Sequence, residues 1–178
     1  GEPDFPVPDA AKEAVREALV LNRSKYTPVP GIPELRDAIA RKTNLQHLQL
    51  KKARGLEWTG SNVIVTNGGK QSIFNTMMAV LEPGDQVLMP APFWISYVDM
   101  AKLVGGVPVP VATRFENSFK MTPQELSAAL DSSVRAKLLI LNSPCNPTGA
   151  LYSRDEFAAL AQVLESHPRG QEIWVLSD

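Results

Sequence analysis

Two asparagines, Asn142 and Asn146, lie in a stretch that reads LNSPCNPTGALYS from Leu141 to Ser153, directly after the apolar run 137–141. Each side-chain amide can both donate and accept hydrogen bonds. Pro144 and Pro147 stiffen the backbone that carries them and remove amides that would need partners. Polar groups placed where an apolar strand breaks into a turn belong to the carboxyl edge of a sheet, and open α/β sheets bind their ligands at that edge. Taken alone, the stretch is equally a proline-rich connection from strand to helix.

Three further sites have the same character. Thr66-Asn67-Gly68-Gly69-Lys70-Gln71-Ser72 joins an apolar run to a helical pattern. Two glycines at a helix start let backbone amides approach an anion, and the helix dipole adds favourable field. The segment is not a nucleotide-binding P-loop: Ile64 stands where that motif needs glycine, and Gln71 follows the lysine in place of Ser or Thr. Trp94, in Ala91-Pro92-Phe93-Trp94-Ile95-Ser96-Tyr97, offers an indole that can stack on a flat heteroaromatic ligand or fill a core. Asp178 closes the apolar run EIWVLSD; a carboxylate buried at a ligand edge demands a cationic partner, and otherwise it caps a following helix.

These groups need a scaffold that brings them to one edge, and the chain from Ser61 onward describes one. Apolar runs at 62–66, 86–89, 107–111, 137–141 and 173–177 read as strands. Helical spacing at 71–81, 95–104, 123–130 and 153–166 fills the intervals. Glu82-Pro83-Gly84-Asp85 is a turn. Alternation of this kind builds a mostly parallel sheet with helices on both faces, a three-layer αβα arrangement. Before it lie a helix at 9–21 behind an Asp9 cap, an extended YTPVPG segment, and a helix at 33–45 that opens on proline with Glu34 in its first turn. The expected organisation is an N-terminal segment with entry helices at 1–45, a variable basic loop at 46–60 containing KKARG, and the first part of a large α/β domain at 61–178.

Composition narrows the function classes. The 178 residues are 44% hydrophobic with a formal net charge of -1, which fits a globular domain or a domain and a fraction. No excess of positive charge points to nucleic acid or an anionic membrane surface. No apolar run approaches the roughly 20 residues that span a bilayer, and GEPDFPVPDAAK lacks the pattern of a signal peptide. The single cysteine, Cys145, forms no internal disulfide, and a reducing cytoplasmic setting is expected. The run 173–177 reads as a buried parallel strand, and such a strand needs a following helix to cover it. The chain therefore reads as a fragment of a longer protein, incomplete at its C-terminus.

A phosphate cradle, a stacking Trp, an Asn-Pro-Thr-Gly loop and a strand-end Asp, in this order on a βαβ series, resemble the fold-type I aminotransferases of class I/II. The likeness is greatest to the bacterial-type aspartate aminotransferases. It is carried by GEPDFPVP, YTPVPGIPELRDAI, VIVTNGGKQSIFN, PGDQVLMPAPFWISY, LILNSPCNPTGALYSRDE and WVLSD, and it runs from Gly1 to Asp178.

The resemblance implies pyridoxal 5'-phosphate as cofactor and an amino acid and a 2-oxo acid as substrates, with aspartate or glutamate as the expected amino donor. It implies that Gly69 and Lys70 offer backbone amides to the cofactor phosphate, that Trp94 stacks on the pyridine ring, and that Asn146 bonds the cofactor phenolate and approaches the substrate carboxylate. Asp178 would pair with the pyridinium nitrogen. Gly1 would face the substrate carboxylate. Tyr26 would reach the partner's phosphate across a homodimer interface. Ala91-Pro92 and Asn146-Pro147 would be cis, and Cys145 a spacer.

The family's Schiff-base lysine follows the strand-end aspartate and has no counterpart in these residues, so the 178-residue chain by itself is expected to be inactive. Ser24-Lys25 imitates its local context but precedes the first strand. The alternatives are another fold-type I enzyme of the same cofactor, a lyase or decarboxylase, and a catalytically silent binding or interaction module.

Overall fold

The computed structural model describes residues 4–49 and 57–178, with the backbone alone for 47–49. It divides into two compact units, Gly1–Thr66 and Asn67–Asp178. No helix among the described residues is long and apolar enough to cross a membrane.

In the first unit, helix α1 spans Asp9–Val20. Its cap is Pro8, whose carbonyl accepts from the amides of Ala11 and Lys12 at 3.0 and 3.1 Å. The expected Asp9 cap is therefore corrected: Asp9 is already helical, and its carboxylate pairs with Lys12 at 2.9 Å. Helix α2 spans Pro33–Gln49 and opens as expected on proline with Glu34 in its first turn. Gly31 has φ +102°, and a Cβ there would stand 2.6 Å from Val65 Cγ2. Only glycine lets the YTPVPG segment pass so close.

The strand expected at 62–66 is not one. Asn62 ends a 3-10 turn, Gly60–Asn62. The Val65 amide donates to Pro30 O at 2.9 Å, and Val63 O accepts from Arg36 Nε at 2.9 Å. A β-branched apolar run makes a segment extended, but a strand also needs a neighbour for its ladder. Here the main-chain groups of this segment go to a proline carbonyl and a guanidinium. Of the basic loop, residues 50–56, which include KKARG, lie outside the described residues.

The second unit is the expected parallel α/β layer. Its strands are β1 (Gln86–Ala91), β2 (Val107–Ala112), β3 (Ala136–Leu141) and β4 (Trp174–Ser177). They lie in the order β2-β1-β3-β4, all parallel. The helices are α3 (Gly69–Val80), α4 (Ser96–Leu103), α5 (Pro123–Ser132) and α6 (Arg154–Ser166).

Side-chain alternation sorts the core into two layers. Val87, Met89, Leu138 and Ile140 pack with Ile73 and Met77 of α3 and with Tyr97, Met100 and Ala101 of α4. Leu88, Leu139 and Leu141 face the other way, onto Leu126 and Leu130 of α5 and Leu160 of α6. Each such side chain, fully removed from water, contributes about 1.5–3 kcal/mol. The helices of the second layer start on capping boxes: Thr122 accepts from Glu125 N and Ser153 from Glu156 N, each at 3.2 Å. Both starts follow the rule that an N-cap hydroxyl and a carboxylate three residues on satisfy each other's backbone amides.

Prolines in strands have specific reasons here. The Val107 amide donates to Asp85 O of the segment leading into β1. The intervening positions of β2, Pro108 and Pro110, therefore face away from the sheet, where the missing amide costs no ladder bond. In β1 the Gln86 amide bonds Arg135 O on the β3 side, so Pro90 also faces β3. The β1–β3 ladder ends at Leu88↔Leu139, whereas β1 stays paired with β2 as far as Ala91. Beyond Leu88 the two central strands part at their carboxyl ends.

Candidate active site

The parting of β1 and β3 opens a crevice at the edge where ligands bind in sheets of this class. A cavity of about 20 Å³ lies in it, lined by Met89, Pro90, Tyr97, Ile140, Asn142 and Cys145 among others. That is room for about one water molecule. The loops after the strands meet around this crevice.

Gly69 and Lys70 are the first residues of α3, after Gly68 with φ +81°. Gly68, at the cap position, brings no side chain to this helix start, and a Cβ added at Gly68 or Gly69 would meet nothing within 4 Å. First-turn amides of a helix have no partner within it, so the start of α3 presents donors to open space. The Asn67 amide is held by Gln71 Oε1 at 2.7 Å, which ties the loop to its helix.

Lys70 turns its ammonium over the indole of Trp94, 4.9 Å from the ring centroid. A half-exposed cation–π contact of this kind contributes about 0.5–1 kcal/mol. Trp94 sits in the β1–α4 connection after the cis Ala91-Pro92 bond. Its indole packs edge-on against Tyr97, with centroids 5.4 Å apart and planes at 87°.

Tyr97 is buried, and its hydroxyl donates to Asp178 Oδ2. Burial pushes the phenol well above its ordinary pKa of 10.0, and the hydrogen bond and charge of Asp178 push it the same way. Asp178 continues the β3–β4 ladder one step past β4. Its amide donates to Leu141 O at 3.0 Å, and its carbonyl accepts from Ser143 N at 3.2 Å.

Asn142 follows β3. Its Nδ2 lies 3.1 Å from Asp178 O and 3.5 Å from Asp178 Oδ2. Its Oδ1 accepts from the Asn146 amide at 2.6 Å. Asn146 is exposed, and no hydrogen bond engages its side-chain amide among the described residues. Both Asn146-Pro147 and Ala91-Pro92 are cis, as expected, and so is Ser143-Pro144. Cys145 Sγ lies 3.6 Å from Pro92 O, between the two loops.

Contacts therefore run without a break from the α3 start through Lys70, Trp94, Tyr97, Asp178 and Asn142 to Asn146. Tyr26 belongs to the first unit and is fully exposed there. Gly1 lies outside the described residues. Tyr97 was hidden in the sequence because a tyrosine in the first turn of a helix reads as core. The signal available was its spacing, one helical turn beyond Trp94.

The family model for aminotransferases of class I and II matches residues 1–178, the whole chain. The chain belongs to that family. The aspartate/prephenate aminotransferase of Cereibacter sphaeroides is 48% identical over the whole chain, which spans 42% of that protein. The aspartate aminotransferase of Thermus thermophilus, solved with maleate, superposes with a TM-score of 0.87 at 42% identity. It is covered over 43% of its length, by all of this chain. The aspartate aminotransferase of Rhizobium meliloti gives a TM-score of 0.86 at 39% identity, with 100% of this chain and 42% of that one covered. This aminotransferase-family chain thus spans less than half the length of the relatives it matches.

Proposed function

We propose that the protein to which this chain belongs is a pyridoxal-phosphate-dependent aminotransferase, moving an amino group between aspartate or glutamate and a 2-oxo acid. The observation that carries the reading is the continuous contact path from the start of α3 to Asn146. A cofactor with an anionic end, a flat ring and a cationic ring nitrogen finds donors, an indole face and a carboxylate in that order. The open space at Gly68 and Gly69, at the start of α3, fits the anionic end.

In this reading the Gly69 and Lys70 amides bind the phosphate, supported by the helix dipole. Trp94 stacks on the ring, the Lys70 ammonium leaving the indole face. The free amide of Asn146 bonds the ring phenolate and approaches the substrate carboxylate. When bound, the cofactor supplies an electron sink that works best with its ring nitrogen protonated. Asp178 holds that proton in place, and Tyr97 holds Asp178. Gly1 faces the substrate carboxylate, and Tyr26 reaches the phosphate of a second protomer in a cytoplasmic homodimer.

Residues 1–178 by themselves are proposed to be inactive. Lys70 is the lysine at this site, and it starts α3 on the phosphate side, where the helix dipole disfavours a nearby cation. Borohydride treatment of the isolated polypeptide with the cofactor is expected to trap no stoichiometric adduct on any one lysine. A single such adduct together with amino-group exchange would refute the inactivity.

The full-length protein, supplied with pyridoxal phosphate, is expected to gain a visible absorbance band and to exchange amino groups between aspartate or glutamate and a 2-oxo acid. A folded, purified protein with neither band nor exchange overturns the reading.

A further inference from the structure

Asn142 has no assigned role in the chemistry above, yet it bonds the main chains of two residues that do. Its orientation is determined by its neighbours. The Asn146 backbone N–H can only donate, so the atom 2.6 Å away is Oδ1. Nδ2 then points at Asp178, where the carbonyl oxygen at 3.1 Å and Oδ2 at 3.5 Å can only accept. A turn residue serving its own loop needs one such bond. Asn142 makes a local one to Asn146 and a distant one to a residue 36 positions on.

The loop carrying Asn146 has few other ties. Pro144 and Pro147 have no amides to give. Ser143 N is tied to Asp178 O at 3.2 Å at the start of the loop; beyond it, Cys145 N to Ala150 O at 2.9 Å and Gly149 N to Cys145 O at 2.7 Å close the loop on itself. The bond to Asn142 is the one that fastens the Asn146 main chain to the end of β3.

We propose that Asn142 is a positioning residue that fixes the Asn146 main chain against the Asp178 main chain by holding both on one rigid planar group, and so sets the distance between the side chains those two residues carry. No other side chain of this size presents an acceptor and a donor from a single carbon. Asp keeps the acceptor and sets an anion against Asp178, Leu offers neither, and Gln moves both groups outward by a methylene. The inference rests on the reading in which Asn146 and Asp178 face the cofactor, and it assigns Asn142 no contact with that cofactor.

The test uses full-length protein with two substitutions and two measurements: amide hydrogen exchange on the cofactor-free form, and equilibrium binding of pyridoxal phosphate. In Asn142→Ala the Asn146 amide is expected to exchange about tenfold faster, the effect of one lost hydrogen bond, and cofactor affinity to fall by roughly the same factor. In Asn142→Asp the Asn146 amide is expected to keep its protection, because Oδ1 remains, while cofactor affinity still falls. That divergence is one a general loss of folding cannot produce. Exchange at Asn146 and cofactor affinity both within twofold of wild type in Asn142→Ala, or identical exchange in the two variants, overturn the proposal. If wild-type protein binds no cofactor, it is the cofactor reading that fails, and exchange at Asn146 still decides whether Asn142 holds the loop.

Discussion

The hydroxyl of Tyr97, in a side chain only 1% exposed, donates to the carboxylate of Asp178, 81 residues further along the chain. The same ring stands edge-on to Trp94. One buried side chain at the start of α4 therefore touches both the indole and the carboxylate.

Tyr97→Phe keeps the ring and its packing and deletes the donor. Folding is expected to survive, and the proposed amino-group exchange by the full-length protein to fall about tenfold, as for loss of one hydrogen bond to a charged group. Alkaline spectrophotometric titration gives an independent readout. The Tyr97 phenol has a raised folded-state pKa, so its contribution to stability is full below the ordinary 10.0 and declines as pH rises from there toward the raised value. In Tyr97→Phe that late ionisation is missing. A variant that titrates and turns over like wild type would mean the hydroxyl does not serve Asp178.

Asp178→Asn removes the charge while nearly preserving shape. The full-length variant is expected to fold and bind cofactor but to slow proton removal from the substrate α-carbon, by about 3 kcal/mol of barrier, the scale of losing a preorganised electrostatic group. The deuterium isotope effect on α-labelled substrate checks the step. Rates within a few-fold of wild type would reduce Asp178 to a strand-end cap.

Leu139 is fully buried in β3, between β1 and β4, and its side chain packs in the α5–α6 layer. Leu139→Ala is expected to cost about 2–5 kcal/mol, seen as a lower denaturation midpoint with an unchanged denaturant slope. Met78, on the outward face of α3, is 60% exposed. Met78→Ala is expected to shift the midpoint by less than about 0.5 kcal/mol.

Glu156 caps α6 and pairs with Lys120. Its hydrogen bond from Lys120 and that from the Ser153 amide hold its pKa below the ordinary 4.5. A depressed carboxylate stabilises the fold above its unfolded pKa and loses that contribution as pH falls through the folded one. Glu156→Gln is therefore expected to be less stable than wild type at neutral pH, by no more than about 1 kcal/mol after solvent screening. In thermal melts across an acid pH series the two proteins are expected to converge. A gap that persists in acid would show that the carboxylate charge is not its source.

Trp94, Asn146 and Asp178 were legible as edge residues because each follows an apolar run that the fold makes a strand, whereas Gly69 follows the run 62–66, which is extended but unpaired. The sequence concealed Tyr97, since burial and a polar tip look alike in a string of letters. It misplaced a strand at 62–66 because an apolar run reports extension, whereas pairing depends on residues far away. Asp9 has the side chain of a cap, but the extended Pro8 holds the position, its carbonyl accepting from the amides of Ala11 and Lys12. Asn142 was visible as a residue able to donate and accept; only the fold brings Asp178 to its other side.

Pro108 and Pro110, turned outward on β2, give this sheet a direction of growth. A strand arriving along β2 would find carbonyls but no amides at successive outward positions, so half of any ladder would be missing. Extension, whether by the protein's own chain or by a stray neighbour, is thereby confined to the β4 margin, next to Asp178. The layer behaves as a ratchet with one sealed side, and an aggregate seeded by this unit would have to form at the margin that ends in Asp178.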